Sequence, residues 1–525
     1  MKKLENPILR GFNPDPSIIC VDDNYYIANS TFEYFPGVQI HHSKDLVNWE
    51  LICRPLDKIE FLNMIGNPQS GGVWAPCLSY DKGIYYLVFT DVKTWERGPF
   101  KDTHNYLMTA KDIKGPWSGP IYLNSSGFDP SLFHDDDNTK WLVNMEWDYR
   151  KKGNAQFSGI VIQQYDKELK SLVGPIKKIF KGTNIGLTEA PHIYKKDNYY
   201  YLFTAEGGTS YEHAETVARS NNLFGPYEVH PHNPLITSHN KDTPIKRAGH
   251  GSMCLGVDNK WYFVYLCGRP LENLKRCILG RETAIEEIIW EDGWPYLAHK
   301  KNEPRSYYLV DKDVEKNTKT SIIYHFNNWD FLKDFQTLRI PLTKKIITID
   351  DRPGYLRIKG KESLISKHEQ ALIVRRQTDF IFEAETYLEF NPVSFQQLAG
   401  LIYRYNEENL YYLYMTYNEL HKQNELSILK LDKGNGEFLS KENLYFMQNN
   451  IYLKLSVNHQ KGQFYYSLDG KEYQNFGPKI DTSILSDEYA NPMGFTGAFI
   501  GMACQDMLNR SNYADFKFFS YKSLN

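Results

Sequence analysis

Three carboxylates in well-separated parts of the chain share a setting. They are Asp15 in NPDPS, Asp129 in FDPS and Glu189 in TEAPH. Two carboxyl groups on either side of a bound sugar can split its glycosidic bond. One, protonated, gives its proton to the departing oxygen, and the other, ionised, activates water or attacks directly. The acid must keep its proton near neutral pH, which burial or a neighbouring negative charge achieves by disfavouring ionisation. A third carboxyl supplies that charge, and each pH unit of displacement corresponds to about 1.36 kcal/mol. The trio thus offers a base, an acid and a tuning group, and spacing does not say which is which. Aspartate before proline also serves turns, so the chemistry depends on what brings the three together.

A repeat does this. Five segments share a small or acidic residue, usually a proline, a short apolar strand, a polar turn and an aromatic-rich strand. They are DPSIICVDDNYYIA from Asp15, APCLSYDKGIYYLV from Ala75, DPSLFHDDDNTKWLV from Asp129, APHIYKKDNYYYLF from Ala190 and HGSMCLGVDNKWYFVY from His250. Their starts lie 60, 54, 61 and 60 residues apart. Each reads as a β-hairpin, and a unit of that length holds about four strands of ordinary size. Four-stranded units repeated radially make a propeller, here of five blades. If the first strand of each unit lines the channel, Asp15, Ala75, Asp129, Ala190 and His250 sit at its mouth, with Glu189 beside Ala190. Like charges gathered on one axis repel, which a fold tolerates chiefly where function needs them.

The pattern stops around residues 300–320, in a charged stretch without apolar alternation that reads as a linker. Beyond it, Leu372–Val374, Phe380–Tyr387, Leu410–Met415 and Phe464–Leu468 read as short strands of a β-sandwich. The expected division is a propeller over 1–310 and a sandwich over 320–525, an all-β chain throughout.

Composition narrows the function. A net charge of −3 makes no field for nucleic acid, and no apolar run is long enough to cross a bilayer. No apolar core of a signal peptide follows Met1-Lys2-Lys3, and seven scattered cysteines form no CxxC pair. Both features point to a reducing cytoplasm. The sequon-like Asn29-Ser30-Thr31 and Asn124-Ser125-Ser126 then read as chance matches. Aromatic residues make up 15% of the chain, with 38 tyrosines and 10 tryptophans. That suits either an all-β fold or a sugar binder whose ring faces meet the C–H faces of pyranoses. Asp135-Asp136-Asp137 resembles the start of a calcium loop. Lys140 stands where such a loop needs glycine, so the run reads as a solvated turn.

The segments GFNPDPS, STFEYFPGVQIHHSKDLVNW, SGGVWAP, GFDPSLFHDDD, TEAPHIY, AEGG, RAGHGS and LGRETAIE resemble the β-xylosidases of glycoside hydrolase family 43. The likeness extends to AGLIYRY and GFTGAFIGMACQD near the C-terminus. The resemblance implies a five-bladed propeller with a concanavalin-like sandwich and an inverting mechanism. Asp15 would be the general base, Glu189 the general acid, and Asp129 the group that raises and orients the acid. It places Phe32, Trp74, His250 and Arg281 around the terminal sugar. A phenylalanine of the second domain, Phe495 or alternatively Phe499, would close the pocket.

The activity so implied is release of xylose from non-reducing ends of 1,4-β-xylo-oligosaccharides, with α-L-arabinofuranosides as second substrates. No cofactor is required by it, though a Ca2+ ion near His250 on the propeller axis accompanies it, as does assembly into homo-oligomers. Taken as residues alone, His250 also fits a core histidine, Trp74 and Phe32 fit blade packing, and Arg281 fits a partner for Glu282 or another carboxylate. Two features depart from the family pattern: Ala190 stands where glycine is expected, and only Leu271–Gly280 separates Gly268-Arg269-Pro270 from Arg281. The alternatives are a dedicated arabinofuranosidase, an endo-arabinanase, or a non-catalytic carbohydrate-binding propeller. The last would betray itself by a missing carboxylate, and none of the three is missing.

Overall fold

The structure, a computed structural model, describes residues 2–310, 314–316, 320–440 and 444–524. Among them there is no α-helix, only strands and three single 3-10 turns, and therefore no helix long and apolar enough to cross a membrane. The chain divides into two compact units. One comprises Met1–Leu62, Gly71–Arg269 and Arg281–Asn317, the other Asn63–Ser70, Pro270–Gly280 and Thr318–Asn525.

The first unit is a five-bladed propeller. Its blades open with the strands Ser17–Val21, Gly72–Asp81, Ser131–His134, Glu189–Lys196 and Lys246–Leu255. In each blade the following three strands pair antiparallel in chain order, and Ile236–Thr237 adds a short extra strand to the fourth. The opening strands touch one another in sequence, and the fifth returns to the first, closing the ring. Hydroxyls stitch this ring together. Ser17 accepts the Leu78 N–H at 3.0 Å, Ser131 donates to the Pro191 carbonyl at 2.6 Å, and Ser252 accepts the Ile18 N–H at 2.7 Å. The serine of DPS and HGS thus satisfies buried backbone groups that a neighbouring blade leaves open. The N-terminal segment fastens the last blade to the first. Ile8 N–H donates to the Thr283 carbonyl at 2.8 Å, and the Asn6 amide to the Ile285 carbonyl at 2.9 Å.

The expected linker begins later than its charges imply. Arg305 forks onto buried Glu286 at 3.0 and 2.5 Å, and Tyr307–Val310 pairs with Lys2–Glu5, so residues up to Val310 belong to the propeller. Charge marks a linker only where nothing neutralises it. Of the rest of that stretch, 311–313 and 317–319 lie outside the described residues.

The second unit is a sandwich of two antiparallel sheets. Ile381–Phe390 alternates strictly between half-buried and buried residues, as a strand with one face on a core must. Its inward residues Phe382, Ala384 and Leu388 pack with Leu401, Tyr403 and Leu413 of the opposite sheet. A single cut between 310 and 320 misses two excursions of the propeller chain, 63–70 and 270–280, which are built into this unit. Their bonds explain why. Gly66 N–H donates to the Lys367 carbonyl at 2.8 Å, Ala498 N–H to the Ile278 carbonyl at 2.8 Å, and Arg276 to Ser483 Oγ at 2.6 Å. Leu271, Ile278 and Leu279 are buried beside Phe380.

Candidate active site

The five residues that open the repeats share an unusual backbone. Asp15, Ala75, Asp129, Ala190 and His250 have φ of 52°, 37°, 54°, 49° and 48°. The left-handed region costs a residue with a β-carbon about 1–2 kcal/mol. At Ala75, Ala190 and His250 the strand pairing slips by a bulge, which turns the chain and re-aims its side chains. Four of the five precede a proline. The fifth precedes Gly251, where a β-carbon would lie 2.2 Å from the Phe263 ring, so no larger residue fits. Ala190 now has its explanation: glycine suits a φ of 49°, and alanine occupies the position under strain.

Asp15 is 4% exposed and sits at a hub. Oδ1 accepts from the Arg281 guanidinium at 2.9 Å and lies 3.7 Å from His250 Nδ1, and Oδ2 accepts from Ser30 Oγ at 2.6 Å. Ser30 Oγ in turn accepts the Ala75 N–H at 2.7 Å. Burial pushes the Asp15 carboxyl up, but Arg281, His250 and the Ser30 hydroxyl outweigh it and hold the group below the ordinary aspartate range. Asp15 is therefore ionised across the neutral range. Burial lowers His250 to about 4, against the pull of Asp15, so its ring is neutral there.

The other two carboxyls behave oppositely. Burial and the Asp15 charge push Glu189 up to about 8, against Arg281 and Lys101. Burial and the charges of Glu189 and Asp15 push Asp129 well up, although it accepts the Ala190 N–H. Two such neighbours titrate as a pair, and the pair keeps a proton at neutral pH. One mouth of the propeller thus holds a lone carboxylate and a protonated carboxyl pair. That is the division of labour that acid–base hydrolysis of an acetal requires.

An aromatic wall lines the same region. The backbones of Phe32 and Val73 exchange hydrogen bonds at 3.0 and 3.1 Å, which sets the Phe32 ring beside Trp74 at 5.9 Å. Trp74 meets Phe128 edge-on at 5.4 Å and Trp95 at 6.1 Å. The Arg281 guanidinium lies 5.1 Å from the Phe32 ring centre and also donates to Thr209 Oγ1 at 3.1 Å. Arg281 is not the partner of Glu282, whose carboxylate takes Arg269 at 2.7 and 2.8 Å. Phe32, Trp74, His250 and Arg281 are thereby gathered with the three carboxylates in one unit. Phe495 belongs to the second unit, where its N–H donates to Ser70 Oγ at 3.0 Å and its side chain is half-buried. Phe499 is fully buried in that unit.

Sequence reasoning misses three partners. Ser30 sits in a sequon-like triplet whose residues are all fully buried. Lys101 lies in a loop with no motif, its ammonium 4.6 Å from the Trp147 ring centre; burial lowers it to about 8, against the Glu189 charge. Thr209 follows AEGG and carries no pattern of its own. Their signals come from other blades, at arbitrary distances along the chain. The acidic run is a turn, but only Asp136 and Asp137 are solvated; Asp135 takes Lys195 at 2.8 Å and the Tyr200 hydroxyl at 3.0 Å.

A calcium ion prefers six to eight oxygen ligands. Among the described residues no group of three or more His, Cys, Asp or Glu side chains could hold a metal. An ion beside His250 would therefore have to take most of its ligands from water.

The model of glycosyl hydrolases family 43 matches residues 4–295. The chain belongs to that family. A β-xylosidase C-terminal concanavalin A-like domain matches residues 324–522. Over 99% of this chain and 98% of its own, "Xylosidase/arabinosidase 43B" of Humicola insolens is 48% identical. The "Beta-xylosidase" of Bacillus subtilis (strain 168) is 46% identical over 99% of both chains. A crystal structure of xylan β-1,4-xylosidase from Bacillus halodurans C-125 superposes with a TM-score of 0.95 at 48% identity, covering 99% of this chain and all of that one. The family member described here is a glycosidase.

Proposed function

We propose that this glycosidase is an exo-acting, inverting 1,4-β-xylosidase that removes xylose from the non-reducing ends of xylo-oligosaccharides. Asp15 is the general base, Glu189 the general acid, and Asp129 the group that keeps the acid protonated and oriented. The observation that carries this reading is the opposed ionisation at one mouth: Asp15 held as a carboxylate, the Asp129–Glu189 pair holding a proton. Asp15 draws a proton from water as that water attacks the anomeric carbon, and the bond to the leaving oxygen breaks as Glu189 protonates it. Phe32 and Trp74 offer apolar faces to the sugar, and Arg281 a rigid fork of donors to its hydroxyls.

Proton NMR during hydrolysis of an aryl β-xyloside tests the mechanism, because every xylose released then comes from the cleaved bond and inversion delivers it as α-xylose before mutarotation. Early β-xylose means retention and removes Asp15 from the role of base. With xylotetraose, exo action yields xylose and xylotriose first, whereas early xylobiose marks internal cleavage.

The name of the Humicola relative supports a second activity on α-L-arabinofuranosides. Arabinofuranose can present its hydroxyls as xylopyranose does. Initial rates on xylobiose, an aryl arabinofuranoside and linear arabinan rank the three. Binding of xylose without turnover of any substrate would instead mark a carbohydrate-binding propeller.

A further inference from the structure

The glutamate of AEGG is left without a role by the mechanism. Glu206 is fully buried at the end of the strand Tyr199–Glu206. Its neighbour Ala205 is the strand partner of Glu189. The Glu206 carboxylate reaches into the loop that leads to Glu189. Oε1 accepts the Thr183 N–H at 2.8 Å and the Thr188 hydroxyl at 3.1 Å, and Oε2 accepts the Thr183 hydroxyl. The Gly186 N–H also donates to the carboxylate. The loop is shaped to let this happen. A β-carbon at Gly182 would lie 1.8 Å from Thr188 Oγ1 and 3.1 Å from Glu206 Oε1, and Gly207 N–H donates to the Gly186 carbonyl at 2.8 Å. Donors from the start, the middle and the end of the loop converge on one carboxylate, and the last of them, Thr188, directly precedes Glu189 in the chain. Charged acceptors make the strong hydrogen bonds, and a buried one without donors would be costly.

We infer that Glu206 is a positioning residue for the proton donor: it fixes the loop 182–188 and thereby the reach of Glu189 to the leaving oxygen. The inference rests on Glu189 being the general acid. A misplacement of about 1 Å costs up to about 100-fold in a positioned step, and only substrates that need the proton suffer it.

The test compares xylobiose, whose leaving oxygen must be protonated, with 2,4-dinitrophenyl β-xyloside, whose leaving group departs unaided. Glu206→Ala is expected to lower kcat/KM on xylobiose about 10- to 100-fold and on the aryl xyloside by at most about threefold. Glu206→Gln keeps one acceptor oxygen and is expected to recover part of the loss. Equal losses on both substrates, or none on either, overturn the inference. Should Glu206→Ala not fold, Glu206→Gln and Thr183→Val carry the same comparison with smaller expected ratios. Glu189→Ala, run in parallel, separates the two levels. If it discriminates between the substrates and the Glu206 variants do not, the positioning role alone falls. If it does not discriminate, the acid assignment falls.

Discussion

Ser30→Ala probes the base without touching it. The hydroxyl donates to Asp15 Oδ2 at 2.6 Å and accepts the Ala75 N–H at 2.7 Å, and Ser30 is fully buried. A hydrogen bond to a charged group is worth about 1.5–3 kcal/mol, and a buried N–H left unpaired costs about 1–3 kcal/mol. The variant is therefore expected to lose about 2–4 kcal/mol of stability at pH 7, measured by urea titration. The sign for Asp15 follows from its depressed ionisation. A carboxylate held below its unfolded value stabilises the fold above that value, and the contribution is lost as pH falls through the folded one. Ser30→Ala removes one of the groups that depress it, so Asp15 moves up toward the ordinary range. The acidic limb of kcat/KM, which reports the base of the free enzyme, should move to higher pH. The assay is kcat/KM from pH 3 to 7 on an aryl xyloside, which removes any demand for acid catalysis. A folded, less stable variant whose acidic limb has not moved would falsify the claim that Asp15 ionisation sets that limb.

Asp15→Asn should abolish turnover of xylobiose and of aryl xylosides alike, a loss of at least about 100-fold, because water activation is needed whatever the leaving group. Retention of aryl-xyloside activity would point to another base. Asp129→Asn should shift the basic limb of the profile toward acid. The two carboxyls titrate as a pair, and the amide takes away one of the two ionisable members. A basic limb that stays in place removes Asp129 from the tuning role. Gly251→Ala should destabilise the propeller by about 1–3 kcal/mol, as overpacking does, since the new methyl meets the Phe263 ring at 2.2 Å. A thermal midpoint unchanged from that of the parent would show that the ring can move aside.

The propeller is legible in the sequence because each blade repeats the same local problem: a tight entry, an inward strand, a polar turn and an aromatic strand. Local rules suffice for that, and Asp15, Asp129 and Glu189 can be located from them. What sets the protonation of each is not local. Ser30 reaches Asp15 from just past the strand Asn24–Asn29 of blade 1 while binding the backbone of blade 2. Arg281 arrives from the far end of the propeller, 266 residues away. Glu206 reads as part of a family string and nothing more. The excursions 63–70 and 270–280 carry no strand pattern, although Leu271, Leu274, Ile278 and Leu279 mark the second as apolar in part, and their partners lie hundreds of residues on.

The left-handed φ at the head of every repeat joins these observations. Ala75 and Ala190 adopt it with no functional group to present, so the chemistry did not create the strain. The turn onto the inward strand did, held by inter-blade bonds such as that from the Ala75 N–H to Ser30. Given that turn, the same geometry aims the first side chain of every blade at the mouth. Asp15, Asp129 and His250 use three of those positions. Glu189, one residue earlier in its blade, lies outside the repeated geometry, and it is before this residue that the chain supplies an additional device, the Glu206 clamp on residues 182–188. A proton donor displaced from the position that symmetry holds rigid has to be held by something else.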